Sequence, residues 1–215
     1  MTKMNNAKLF IISAPSGCGK GTLIKELSRD NEIFNSISCT TRAPREGELD
    51  GVHYNFITRE EFGRLAENDG FLEHAEFSGN CYGTPKAPVE QKLAAGIDVL
   101  LEIEPQGAFQ VKAKMPEAVM LFILPPSISS LDRRLHRRAQ ESGETEEMIQ
   151  KRLSTAKGDI ERAYDYDYVM VNGDLDKAVS DLKNIFHSAK NGGEGLESFK
   201  AANQKEIIDE VLKNA

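Results

Sequence analysis

Two hydrophobic patterns alternate along the chain. Runs that are apolar at nearly every position, Leu9-Phe10-Ile11-Ile12, Val99-Leu100-Leu101 and residues 118–124, read as strands buried on both faces, and Tyr168-Val169-Met170-Val171 reads as a last strand. Between them, apolar residues recur at three- and four-residue spacing, as helices require. Such sets are Leu23, Ile24 and Leu27; Leu153, Ala156, Ile160 and Ala163; and Leu175, Val179, Leu182, Ile185 and Phe186. Strands alternating with helices predict an α/β fold with a mostly parallel, helix-covered sheet and ligands at the carboxyl ends of its strands.

Residues 36–90 break that rhythm. Ser36-Ile37-Ser38-Cys39 reads as a short strand, and Asp50-Gly51 as a tight turn before Val52, Tyr54 and Phe56, which alternate as a half-buried strand. Thr58 with Glu61 forms a capping box ahead of Phe62, Leu65 and Ala66, and Asn68-Asp69-Gly70 stops that helix. In Phe71-Leu72-Glu73-His74-Ala75-Glu76-Phe77, period two sets Glu73 on one face with Phe71, Ala75 and Phe77, and His74 on the other. A carboxylate on an apolar face needs hydrogen-bond donors; the alternative is an edge strand whose Glu73 reaches solvent. Ser78-Gly79-Asn80 turns the chain, and Thr84 is placed to cap a helix that starts at Pro85, runs through Leu93 and ends near Gly96. Further on, residues 127–138 read as a helix, the polar run 139–144 as a mobile loop, and 191–215 as a helical tail docking on the core or on a partner subunit.

The candidate chemistry begins at Ala14-Pro15-Ser16-Gly17-Cys18-Gly19-Lys20-Gly21-Thr22, between the first strand and the first helix. Strand, glycine loop and helix together turn backbone N–H groups around an anion. The helix N-terminus adds partial positive charge and Lys20 a mobile cation, which makes a phosphate cradle. Ala14 stands at the first glycine position of the Walker A pattern, and the hydroxyl is displaced to Thr22; the Gly-Lys-Gly-Thr ending resembles the variant of nucleoside monophosphate kinases. A second anion site is suggested by Thr40-Thr41-Arg42-Ala43-Pro44-Arg45, where two guanidinium groups flank a proline turn. Val99-Leu100-Leu101 runs into Glu102-Ile103-Glu104, the look of a Walker B strand whose acids order magnesium or its waters. Of Arg133, Arg134, Arg137 and Arg138, most belong to a solvated face and one or two are expected at the substrate.

Composition narrows the class. The 215 residues are 40% hydrophobic and 28% charged, ordinary for one globular domain. A net charge of −7 argues against a general nucleic-acid or membrane-surface binder, so any phosphate site must be locally basic. No apolar run is long enough to span a bilayer, and the chain enters the glycine loop without room for a cleavable signal, so a cytoplasmic protein is expected. Cys18, Cys39 and Cys81, odd in number and without CxxC spacing, read as free thiols; modification of Cys18 would crowd the cradle.

Taken with the cradle, the motifs Ser38-Cys39-Thr40-Thr41-Arg42-x-Pro44-Arg45, Gly51-x-x-Tyr54, Phe71-Leu72-Glu73 and Asn80-Cys81-Tyr82-Gly83-Thr84 closely resemble those of guanylate kinases, from about Leu9 to Phe186. The resemblance implies a single domain over 1–215. Its P-loop core would comprise about 7–35, 91–136 and 158–190, with a mixed α/β GMP-binding region at about 36–90 and a mobile lid at about 137–157. It implies the reaction ATP + GMP = ADP + GDP with Mg2+. The resemblance assigns Ser38, Arg42, Arg45, Tyr54 and Tyr82 to the GMP phosphate and Glu73, Thr84 and the Ser38 hydroxyl to the guanine edge, with Glu102 approaching the same nucleotide. ATP falls to residues 14–22 and Asn172, the metal to Thr22, and catalysis to Lys20, Arg42, Arg138 and Arg152. Chemistry supports Glu73 independently: guanine N1–H and its exocyclic amine are adjacent donors that match a carboxylate, whereas adenine presents an acceptor at N1. Glu104-Pro105 departs from the family's usual aspartate and non-proline pair, and Ala139 from its usual glycine. The rival readings are a kinase for AMP or dTMP, and a non-catalytic interaction module of the same shape, against which Lys20, Arg138 and Arg152 speak. A regulatory P-loop GTPase would need an Asn-Lys-x-Asp motif that the chain lacks.

Overall fold

The structure is a computed structural model describing residues 6–30, 33–77 and 79–213, so residues 1–5, 31, 32, 78, 214 and 215, Ser78 of the predicted turn among them, lie outside the described residues. In chain order the strands are β1 (Leu9–Ser13), β2 (Ile33–Asn35), β3 (Cys39–Thr40), β4 (Asn55–Phe56), β5 (Phe71–Phe77), β6 (Asn80–Pro85), β7 (Asp98–Glu102), β8 (Val119–Leu124) and β9 (Tyr168–Val171). The helices are α1 (Lys20–Asp30), α2 (Arg59–Glu67), α3 (Lys86–Ala94), α4 (Pro105–Lys114), α5 (Ile128–Ser142), α6 (Glu146–Glu161), α7 (Leu175–Lys190) and α8 (Lys205–Lys213).

The chain divides into two compact units, one of residues 1–11 and 32–118, the other of 12–31 and 119–215. In the first, β2, β7 and the start of β1 lie in that order, with β2 and β7 parallel. A second sheet, ordered β4-β3-β6-β5, pairs β3 with β4 in parallel and β6 with its neighbours antiparallel. Its apolar side closes over Cys39, Phe62 and Phe71, the two rings stacked with centroids 4.5 Å apart. The capping box forms as expected: the Thr58 hydroxyl accepts from the Glu61 N–H at 3.1 Å and the Glu61 carboxylate accepts from the Thr58 N–H at 2.8 Å.

The other unit carries the end of β1 beside β8 and β9, all heavily buried, with β8 and β9 parallel. Side chains cap α5 (Ser127), α6 (Thr145) and α7 (Asp174). The tail docks on this same unit. Leu196, Ile208 and Val211 are buried, Lys200 bridges to Tyr168, and the Tyr164 hydroxyl donates to Asp209 at 2.5 Å. Each such apolar side chain contributes roughly 1.5–3 kcal/mol by leaving water, so the tail's apolar stripe is spent within its own unit.

Three local expectations are corrected, and one helix is added. Residues 36–38 are not a strand, because their hydrogen bonds diverge: the Ser36 N–H donates to the Leu100 carbonyl, and the Ser38 carbonyl accepts from Asn55. Between 52 and 56 only Asn55 and Phe56 form a strand, since Gly51 and Tyr54 are consumed in a turn closed at 2.8 Å. The predicted loop 139–144 is helical through Ser142, because Leu131, Leu135 and Ala139 carry the buried i,i+4 stripe onward, and Gly143 (φ 70°) ends it. Helix α4 has no counterpart in the hydrophobic pattern; Pro105 sets its first turn.

Candidate active site

In the second unit, the loop from Ala14 to Gly19 joins β1 to α1. Gly17 (φ 86°) and Gly19 (φ 88°) adopt the left-handed backbone that a cradle needs and that side chains resist. Space forbids a Cβ as well: it would lie 2.9 Å from Leu135 at Gly17 and 2.7 Å from the Asn172 amide at Gly19. The Cys18 N–H donates to the Pro15 carbonyl at 3.1 Å, tightening the turn. The Cys18 carbonyl accepts from the Asn172 side-chain amide at 2.7 Å and from Arg134 Nη1 at 3.1 Å, while Arg134 Nη2 donates to the Asn172 carbonyl at 3.2 Å. Lys20 opens α1, and Thr22, two residues on, is exposed.

The Cys18 side chain is turned into the protein interior. Its thiol is fully buried against the Ile123 carbonyl at 3.5 Å, and burial pushes it up to about 12, outweighing the pull of Arg134 and Lys20. A buried, protonated thiol is inert, so the expected vulnerability of the cradle to thiol chemistry has no exposed thiolate behind it. Of the two arginines expected in the lid, Arg138 lies on the exposed side of α5. Arg152 is paired with Glu144 at 2.8 Å, and each keeps one buried polar atom, Nη1 and Oε2, without a partner.

In the first unit, Glu73 is buried, with 6% of its surface exposed. β5 is an edge strand of its sheet, as the sequence alternative had it, but its Glu73 does not reach solvent. A register shift between Phe71 and Glu73 lets Phe71, Leu72 and Glu73 all be buried, whereas Phe77 at the far end is exposed. The Thr84 hydroxyl donates to Glu73 Oε1 at 2.6 Å from the directly opposite position on β6. Thr84 is therefore not the cap of α3; Pro85 holds that position without a side-chain bond, and the hydroxyl answers the buried carboxylate instead. Burial raises the Glu73 carboxyl above the usual carboxylate range, with the Thr84 hydrogen bond opposing and the nearby Glu104 charge adding to the rise.

A second cluster gathers around Arg42. Its Nη1 and Nη2 each donate to Glu48 at 2.9 Å, Nη1 also donates to the Ala43 carbonyl at 2.7 Å, and the guanidinium stands 5.5 Å from the Tyr54 ring centre. Tyr54 meets Tyr82 edge-on at 6.1 Å. Glu48 also accepts from the Arg45 backbone N–H at 2.7 Å, and these donors, Arg42 first, hold its carboxyl down to about 2. Arg42 and the Arg45 backbone thus meet at Glu48, and Tyr54 and Tyr82 pack together beside Arg42, while Glu73 and Thr84 meet in one hydrogen bond. Ser38 is half-buried and joined to Asn55 only through its carbonyl, and Glu102 ends β7 exposed.

Sequence reasoning passed over Glu48, Arg134 as a brace, and Gln110 and Gly107 on α4. The one signal for Glu48 was an acid six residues after Arg42 in a basic loop. Among the described residues no three His, Cys, Asp or Glu side chains could hold a metal together. The exposed Thr22 hydroxyl fits an ion carried chiefly by nucleotide phosphates, the usual habit of magnesium. Among the described residues no helix is long and apolar enough to cross a membrane.

A family model described as guanylate kinase matches residues 6–189. A guanylate kinase of Desulfitobacterium hafniense is 51% identical over 189 residues, 87% of this chain and 93% of that protein. One from Thermus thermophilus is 47% identical over 212 residues, 96% of this chain and 95% of that protein. The crystal structure of guanylate kinase from Anaplasma phagocytophilum is similar with a TM-score of 0.68 and 36% identity, covering 86% of each chain.

Proposed function

The chain belongs to the guanylate kinase family and transfers a phosphoryl group from ATP to GMP, giving ADP and GDP, and we propose that Lys20 and Glu73 head its two substrate sites. The observation that carries the base assignment is the buried Glu73 carboxylate with Thr84 as its donor. Thr84 occupies Oε1, which leaves Oε2 and the remaining lone pairs to accept from guanine N1–H and its amine. A base lacking those donors leaves the carboxylate desolvated and unpaired, which gives large discrimination. Arg42, Arg45, Tyr54 and Tyr82 take the GMP phosphate, with Ser38 and Glu102 at the margins of the same nucleotide.

On the donor side, the loop N–H groups and the α1 N-terminus receive the ATP phosphates, Lys20 reaches the β- and γ-phosphates, and Asn172 braces the loop beside the adenine. Thr22 would hold magnesium brought in with ATP, and the ion would supply charge neutralisation on the transferring phosphates. Phosphoryl transfer leaves little covalent work to the protein, so Arg138 and Arg152 neutralise the moving group while Arg42 and Arg45 hold the attacking phosphate in line. To do so, Arg152 exchanges Glu144 for phosphoryl oxygens. No general base is assigned, because a phosphate monoester is largely ionised near neutrality. Residues 36–90 act as the GMP-binding region and 137–157 as the lid, and the enzyme works in the cytoplasm.

The test is ADP formation from ATP and magnesium with GMP, AMP, dTMP or no acceptor. Turnover with GMP alone is expected. Turnover with another acceptor would overturn the reading of Glu73, and folded protein that turns over none would favour an interaction module.

A further inference from the structure

Gly107 occupies the third position of α4, buried, and its backbone is not in the left-handed region. Conformational freedom therefore does not explain a glycine there, and alanine is the better helix former. The explanation lies in what stands opposite. A Cβ on Gly107 would come 2.6 Å from Glu73 Oε2, 3.0 Å from Cδ and 3.2 Å from Cγ. The first distance is well inside van der Waals contact.

The same face of α4 also holds the strand that carries Glu73. Three residues on, the Gln110 amide accepts from the His74 N–H at 3.3 Å and donates to the His74 carbonyl at 3.2 Å, acting as a one-residue strand partner for β5. Four further on, Lys114 donates to the Phe71 carbonyl at 2.8 Å. Positions 107, 110 and 114 share a helix face. The backbone on both sides of Glu73 is thus clamped to α4, and its Oε1 is held by Thr84, so a methyl at 107 can be relieved only by moving the carboxylate group itself. That movement is cheap for a flexible side chain and costs the fold little. It costs the pocket its alignment.

We propose that Gly107 is a specificity-determining residue: its missing side chain is the space in which the base-reading carboxylate of Glu73 sits. The inference rests on the reading that Glu73 contacts guanine. An alanine at 107 turns Oε2, the oxygen Thr84 does not hold, away from the base while leaving the cradle untouched.

The experiment compares Gly107→Ala, Glu73→Gln, Glu73→Asp and the double variant Gly107→Ala with Glu73→Asp, measuring Tm and KM and kcat for GMP and ATP. Gly107→Ala is expected to keep or raise Tm, leave KM for ATP unchanged, and raise KM for GMP on the order of 10- to 100-fold, the cost of misplacing a binding group by about an ångström. Aspartate, one methylene shorter, clears the new methyl, so the double variant should bind GMP better than Gly107→Ala alone, whereas Glu73→Asp in the native background should bind it worse than native. A native KM for GMP in Gly107→Ala, or no relief in the double variant, overturns the inference. If Gly107→Ala does not fold, the double variant still decides: a folded double variant with recovered GMP affinity supports the steric account, and an unfolded one overturns it. Native GMP selectivity in Glu73→Gln would instead overturn the reading of Glu73, a failure separable from that of Gly107.

Discussion

The proposed cradle and the proposed guanine pocket recognise their ligands with opposite materials. The cradle presents backbone: two left-handed glycines, a helix N-terminus and a carbonyl pinned from behind by Asn172 and Arg134. The pocket presents one side chain, Glu73, whose charged form is disfavoured by its own burial. Backbone recognition suits phosphates, which any nucleotide offers. Selecting one base needs a group that is costly to leave unpaired, and a buried carboxylate is such a group.

The sharpest break in that comparison is Lys20→Ala, which removes the main cationic side chain of a site otherwise made of dipoles. Its kcat should fall on the order of 10³-fold or more with every acceptor, with Tm unchanged, in a coupled ADP assay. Next comes Glu73→Gln, which exchanges an acceptor pair for an acceptor and a donor. It should lower kcat/KM for GMP about 10²-fold or more, with KM for ATP unmoved in the same assay.

A smaller effect separates the two sites by acidity. Because the Glu73 carboxyl titrates above the usual carboxylate range and guanine needs it ionised, KM for GMP should climb as pH falls through that raised value, and Glu73→Gln should flatten the climb. The sign for stability is opposite. A raised folded pKa favours the protonated fold, so this contribution is present at low pH and lost as pH rises through the folded value. Thermal melts of nucleotide-free native protein and of Glu73→Gln across that range check it. The smallest effect expected is none: a thiol reagent at neutral pH should leave Cys18 unlabelled in folded protein, by mass spectrometry of digested peptides, because no thiolate is available there.

How well each region could be read follows from the same contrast. The cradle is local in sequence, so its glycines, Lys20 and flanking strand and helix announced it. Period two brought Glu73 to notice, yet its partner Thr84 lies eleven residues away across a hairpin, and on local grounds resembled a helix cap. Glu48 and Gln110 act only through contacts that folding creates, so nothing in their immediate neighbours marked them. Helix α4 opens with Pro105, Gln106 and Gly107, whose weak periodicity hid it. The run at 139–144 misled by composition, because polar residues said loop while Leu131, Leu135 and Ala139 continued the buried stripe of α5.

The double hold on the Cys18 carbonyl has a consequence for how often the loop must be ordered. Fixing one backbone residue costs roughly 1–2 kcal/mol of conformational entropy. Asn172 and Arg134 meet part of that cost when the chain folds, because both hydrogen bonds are made by the chain's own side chains. A loop organised at folding need not be organised again each time ADP leaves and ATP returns, so the cradle spends its binding energy on the nucleotide rather than on itself.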